Sequence, residues 1–189
     1  MSALAEQLPF DAEAYLAWEQ DQADKHEYYR GEAFAMVGAC QNHVLVAGNL
    51  YSALKHRLRG SSCRTYVSDM KLRVAAAEAF FYPDIMVSCD ARDHAAELFL
   101  QYPRLIIEVL SAGTSAFDRG AKAAAYPLLP SLREYVMVDI DARRLEHFRR
   151  HDQGDWRLQD CHEVTACRFE CLELELPMAE IFEDVLARD

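Results

Sequence analysis

The chain has 189 residues, 51% hydrophobic and 27% charged, which suits one folded domain with a real core. No run approaches the roughly 18 uninterrupted apolar residues of a membrane span. The first ten residues lack the basic start and apolar stretch of a secretory leader, so the cytoplasm is the expected location. The net charge of −11 argues against tight, non-specific hold on a polyanion and leaves room only for a local basic cleft.

Asp11 can cap a helix that runs to about Asp21, with Phe10 and Tyr15 at the spacing of a hydrophobic staple. Residues 27–36 alternate about Arg30 and Gly31, the pattern of a β-hairpin. Asn42 is placed to cap a second helix. There Val46, Leu50, Leu54 and Leu58 recur every fourth residue, Leu45 and Ala53 widen the face, and Gly60 is a stop. Strands are expected over 64–67, 71–74 and 80–88, the last with Pro83 suited to an edge or bulge.

The run 104–110, RLIIEVL, reads as the best buried strand, and Glu108 in its middle is an anomaly. A polar turn at 111–115 precedes a helical pattern over 116–126 that Pro127 ends. Strands at 134–139 and 145–149, joined through Asp141 and Ala142, are followed by short strands within 156–176 and a small helix over 178–186. The order predicts a single α/β (α+β) layered domain, 1–189, with a mixed central β-sheet flanked by helices.

Six scattered cysteines without a C-x-x-C pair are expected to be reduced, mostly buried thiols. Cys161, His162, Cys167 and Cys171 lie close enough to suggest zinc, but their spacing fits no common site. Two basic clusters, Lys55, His56, Arg57 and Arg59, then Arg143, Arg144, Arg149 and Arg150, read most simply as solvated surface charge.

A carboxylate in an aliphatic strand costs several kcal/mol unless it is paired, hydrogen-bonded or bound to a cation. Glu108 sits in such a strand, and Asp84 sits in another apolar run after Pro83. Two acids from neighbouring strands can converge on a hard divalent cation, joined by the Val109 backbone carbonyl. Lys122, on the next helix and four residues after Asp118, can orient water or meet developing charge. The same spacing also suits a plain helical ion pair. Asp69 and Lys71 form a second acid-x-lysine pair that reads as strand surface, and Ser111 suits a turn cap or a ligand contact.

The strings YPDIMV, LIIEVLS, FDRGAKAAAY and REYVMVDI, in that order, resemble the Uma-two family of restriction endonucleases, within the PD-(D/E)XK nuclease superfamily. The match extends to YLAWE, to Gly31, Glu32 and His43, and to the closing LPMAEIFEDV. The resemblance implies a restriction-endonuclease-like core with Asp84 and Glu108 as ligands of Mg²⁺, for which Mn²⁺ can substitute. The superfamily's lysine follows the second acid by two residues. Here that position is Leu110, so the lysine role passes to Lys122. Glu32 becomes an auxiliary ligand candidate, and His43 a phosphate contact or proton carrier. The implied substrate is DNA, and a homodimer is expected by analogy with enzymes that cut two strands. The alternatives are a catalytically silent or regulatory member that binds nucleic acid or protein, and a hydrolase of some other phosphoester.

Overall fold

The computed structural model describes residues 6–7 and 11–186. Phe10, and with it the staple, lies outside them. After β1 (Glu6–Gln7), α1 (Ala12–Glu19) begins at Asp11, whose carboxylate accepts from the N–H groups of Glu13 and Ala14. The helix stops at Glu19, two residues short of expectation. β2 (His26–Tyr29) and β3 (Glu32–Ala35) form the expected hairpin. Its two turn residues, Arg30 and Gly31, both take positive φ, as the right-handed twist of the strands requires.

The second helix, α2 (Gln41–Arg57), is preceded by Cys40 at the cap position. Asn42 is no cap: it lies inside the helix and its amide donates to the Leu186 carbonyl at 3.0 Å. The chain continues through β4 (Arg64–Val67), β5 (Lys71–Val74), β6 (Ala79–Phe81) and β7 (Ile85–Ser88). Residues 80–88 are therefore not one strand. Pro83 has no N–H to donate, and the break around it sends β6 and β7 into different sheets.

Next come α3 (Ala91–His94), β8 (Phe99–Leu100) and β9 (Leu105–Val109). The helical stretch 115–128 is composite: α4 (Ser115–Phe117), a π turn (Asp118–Lys122), α5 (Ala123–Ala125) and a 3₁₀ turn (Tyr126–Leu128) that contains Pro127. The chain closes with β10 (Glu134–Asp139), β11 (Arg144–Arg150), β12 (Trp156–Cys161), β13 (Ala166–Phe169), β14 (Leu174–Pro177) and α6 (Met178–Ile181).

The central sheet runs β12-β11-β10-β9-β7-β4, with β9 and β10 parallel and the other pairs antiparallel. It does not stand alone. A second six-stranded sheet runs β1-β3-β2-β6-β5-β8, and β13 and β14 form a small hairpin.

One face of the central sheet, with Ile85, Val87, Ile107, Val109, Val136 and Val138, packs on Val46, Leu50 and Leu54 of α2. Full burial of each such side chain contributes about 2 kcal/mol. The opposite face, with Met86, Ile106 and Met137, meets Leu72, Phe81 and Leu100 of the second sheet and Tyr126 and Leu129 after the composite helix. Burial on both faces explains the nearly unbroken aliphatic run of β9. By the period of two, Glu108 falls with Ile106 and Leu110, on the side facing the second sheet.

Two of the six cysteines depart from the expectation of reduced thiols, while Cys40, Cys161, Cys167 and Cys171 are free. β4 and β7 pair with Arg64 opposite Ser88, so Cys63 and Cys89 meet one step further out and form a disulfide. No helix among the described residues is long and apolar enough to cross a membrane.

Candidate metal centre

β7 and β9 are antiparallel, with Val87 opposite Leu105 and Ile85 opposite Ile107. One further step in this register sets Asp84 opposite Glu108 on the same side of the sheet, where directly opposed Cβ atoms lie about 5 Å apart. The hydrogen bonds agree. The Asp84 N–H donates to Glu108 Oε2 at 3.3 Å, and the Val109 N–H donates to Asp84 Oδ2 at 2.8 Å. The two acids therefore converge, with Glu108 buried and Asp84 partly open to solvent.

Lys122 joins them from the π turn, an irregularity common at functional sites. Its Nζ lies 3.1 Å from Glu108, 3.1 Å from Asp118 and 3.0 Å from Glu27, and the residue is only 5% exposed. Tyr126, four residues on, donates its hydroxyl to Glu108 Oε1 at 2.5 Å. Glu27 reaches in from β2 of the second sheet and also accepts from the Tyr82 N–H at 2.8 Å. The centre thus lies between the two sheets, closed on one side by the composite helix.

Burial pushes the Glu108 carboxyl well above its ordinary value; Lys122 opposes this, while Asp118, Asp84 and Glu27 reinforce it. Burial raises Glu27 too, against Lys122 and the Tyr82 N–H. For Lys122, burial favours the neutral amine, but Glu108, Glu27 and Asp118 together hold it well above its ordinary value. His43, in the first turn of α2, lies 3.3 Å from Asp84 Oδ2, and its ring also hydrogen-bonds the Val109 backbone. Burial lowers its pKa, yet Asp84 and Val109 outweigh that and raise it.

Four carboxylates (Asp84, Glu108, Glu27 and Asp118) thus face one lysine and one histidine. Asp118 Oδ1 is buried with no hydrogen bond beyond its approach to Lys122. Such a deficit of positive charge is met by protons or by a divalent cation. The donor chemistry, hard carboxylate oxygens of Asp84 and Glu108 from adjacent strands with Asp84 partly open to solvent, is of the kind that suits Mg²⁺.

Glu32 does not approach Lys122 in the way Glu27 does. It shares a face of the hairpin with Glu27 but stands two pairs nearer the turn, roughly 7 Å further along the strand. Glu27 and Tyr126 were not singled out from sequence. The available signal was a second acid inside an otherwise aromatic strand, HEYY. Ser111 and Thr114 hydroxyls meet at 3.0 Å and cap their own turn, and Asp69 pairs with Lys25 at the exposed surface. Cys161, His162, Cys167 and Cys171 do not come together, in keeping with a spacing that fits no common zinc site: His162 is exposed and Cys171 hydrogen-bonds Glu134, while His147 faces Cys161 and Cys167.

The basic cluster on β11 and the turn before it is engaged internally. Arg144 pairs with Asp160 and Arg149 with Glu134 and Glu170, while Arg143 and Arg150 donate to backbone carbonyls. In the other cluster Arg57 pairs with Glu180.

This architecture matches a crystal structure from Anabaena variabilis described as "a putative nuclease belonging to DUF820", with TM-score 0.73 and 17% identity over 94% of this chain and 100% of that one. The class is accordingly a mixed α/β fold, sheets flanked by helices, of the kind that neighbour has. A family model described as "Uma2: Putative restriction endonuclease" matches residues 12–179, and the chain belongs to that family. Two uncharacterized proteins of Synechocystis sp. are similar along much of their length. One, slr1290, is 37% identical over 144 residues, 76% of each chain. The other, sll1609, is 32% identical over 151 residues, 79% of this chain and 85% of that one.

Proposed function

We propose that the chain is a Mg²⁺-dependent endonuclease that hydrolyses phosphodiester bonds in DNA. The observation that carries this reading is the opposed Asp84 and Glu108 pair, with Lys122 held against Glu108. Asp84, Glu108 and the Val109 carbonyl would hold the ion, and Mn²⁺ has the same preference for oxygen ligands. When bound, the ion polarises a phosphoryl oxygen and lowers the pKa of the attacking water. Lys122 fixes the Glu108 carboxylate and keeps positive charge at the centre, and Tyr126 locks the same oxygen. His43, 3.3 Å from Asp84, is placed to contact a phosphate oxygen or to carry a proton. We further propose a homodimer, since cutting both strands of a duplex takes two centres related by a two-fold axis.

The test is nicking of supercoiled plasmid with Mg²⁺, and with EDTA as control. Asp84→Asn and Glu108→Gln should each lose roughly 10²- to 10³-fold in rate. Cleavage retained in both variants removes the assignment. One set of contacts favours a catalytically silent, binding member of the fold: Lys122 is tied to three acids and the arginines of β11 are engaged. That reading predicts Mg²⁺ binding by calorimetry without turnover, or no Mg²⁺ binding at all.

A further inference from the structure

A second cluster of metal-ligating side chains lies across the central sheet from this centre. His147 is on β11 and Cys161 ends β12, where it pairs with Leu145; the register therefore puts His147 and Cys161 diagonally adjacent on one face. Cys167, on β13, is folded onto that face by the exposed turn 162–165. All three residues are buried, and their ligand atoms lie within 4.8 Å of one another. His147 Nδ1 is 3.5 Å from Cys167 Sγ. On the other side of the ring, Nε2 makes no aligned hydrogen bond but stands 3.1 Å from the Glu134 carboxylate.

We propose that His147 Nδ1, Cys161 Sγ and Cys167 Sγ form a site for one thiophilic cation of the Zn²⁺ class, with Glu134 as the residue that positions the imidazole. A metal-bound histidine characteristically presents its second nitrogen to a carboxylate, which fixes tautomer and ring orientation. Glu134 occupies that position and is itself held by the Cys171 N–H and by Arg149.

The two sulfurs stand 2.7 Å apart, close enough for a single ion to bridge them. Opening to about 3.7 Å accommodates a tetrahedral ion with Zn–S of ~2.3 Å.

The experiment titrates Co²⁺ into the reduced, metal-free full chain under anaerobic conditions. The expected result is one equivalent bound with a thiolate-to-metal charge-transfer band that Zn²⁺ displaces. The band should persist in Asp84→Asn and Cys171→Ser, and vanish in Cys161→Ser and Cys167→Ser. Glu134→Gln should weaken binding by about 10- to 100-fold. Absence of the band in the unmutated chain overturns the site, whatever the variants do. So does a band that survives both cysteine substitutions, or a Cys161–Cys167 disulfide in a chain that takes up no Co²⁺ once reduced. A carboxylate site at Asp84 and Glu108 gives no thiolate band, so the fate of the nuclease reading is decided separately.

Discussion

Replacing Lys122 by methionine removes one charge while nearly preserving shape. Its ammonium is the nearest cation to Glu27, Glu108 and Asp118, at 3.0, 3.1 and 3.1 Å. Removing one partner from a buried ion pair costs about 3 to 5 kcal/mol, because the orphaned charge remains. For a chain of this size that is a fall in Tm of roughly 6 to 20 °C. The acids can escape by taking up protons, which fixes the sign of the pH dependence. Burial already holds Glu108 and Glu27 above their unfolded values, and loss of Lys122 removes the group that opposes this.

A carboxyl raised in the folded state contributes stability that is complete below its unfolded pKa and is lost as pH rises through the folded one. The Lys122→Met deficit should therefore be largest at neutral and alkaline pH and shrink as pH falls toward the ordinary glutamate range. Mg²⁺ should also shrink it, by about 1.4 kcal/mol for each tenfold by which the variant binds the ion more tightly than the unmutated chain. Urea melts of both proteins across this pH range, with Mg²⁺ or EDTA, measure all three quantities. A deficit under 1 kcal/mol, or one that does not change with pH, refutes the claim that three carboxylates depend on this ammonium.

Tyr126→Phe removes the donor to Glu108 and should cost about 1 to 3 kcal/mol in denaturant melts, the range for leaving a buried acceptor short of a partner. The Cys63–Cys89 disulfide closes a loop with a sequence separation of 26. By chain entropy, the double serine variant should lose about 3.5 kcal/mol relative to the oxidised protein, and the same variant compared with the reduced protein should lose little. Arg57 donates two hydrogen bonds to Glu180 and holds its carboxyl below the ordinary value. Because both side chains are partly exposed, Arg57→Gln should cost no more than about 1 kcal/mol at neutral pH. A depressed carboxyl stabilises above its unfolded pKa and stops doing so as pH falls through the folded one, so this difference should vanish below the normal glutamate range.

Local order was largely legible in the chain itself. The four-residue recurrence of Val46, Leu50 and Leu54 defines α2, the turn residues Arg30 and Gly31 define the hairpin, and the aliphatic run about Ile106 and Ile107 defines a strand buried on both faces. These signals need only neighbours along the chain, whose spacing reports periodicity directly. Asp84 and Glu108 stood out for a related reason: a charge among aliphatic residues is costly wherever the strand ends up.

Only the tertiary structure decided what surrounds them. The step that sets Asp84 against Glu108 is a register between strands, and Glu27 arrives from a different sheet. Lys122 meets two acids distant in sequence besides the one four residues away that helical spacing suggested. The Cys63–Cys89 bond and the substitution of His147 for His162 likewise follow from which strands lie side by side. Pairing between strands is selected by the packing of the whole core, so no short window of sequence contains it.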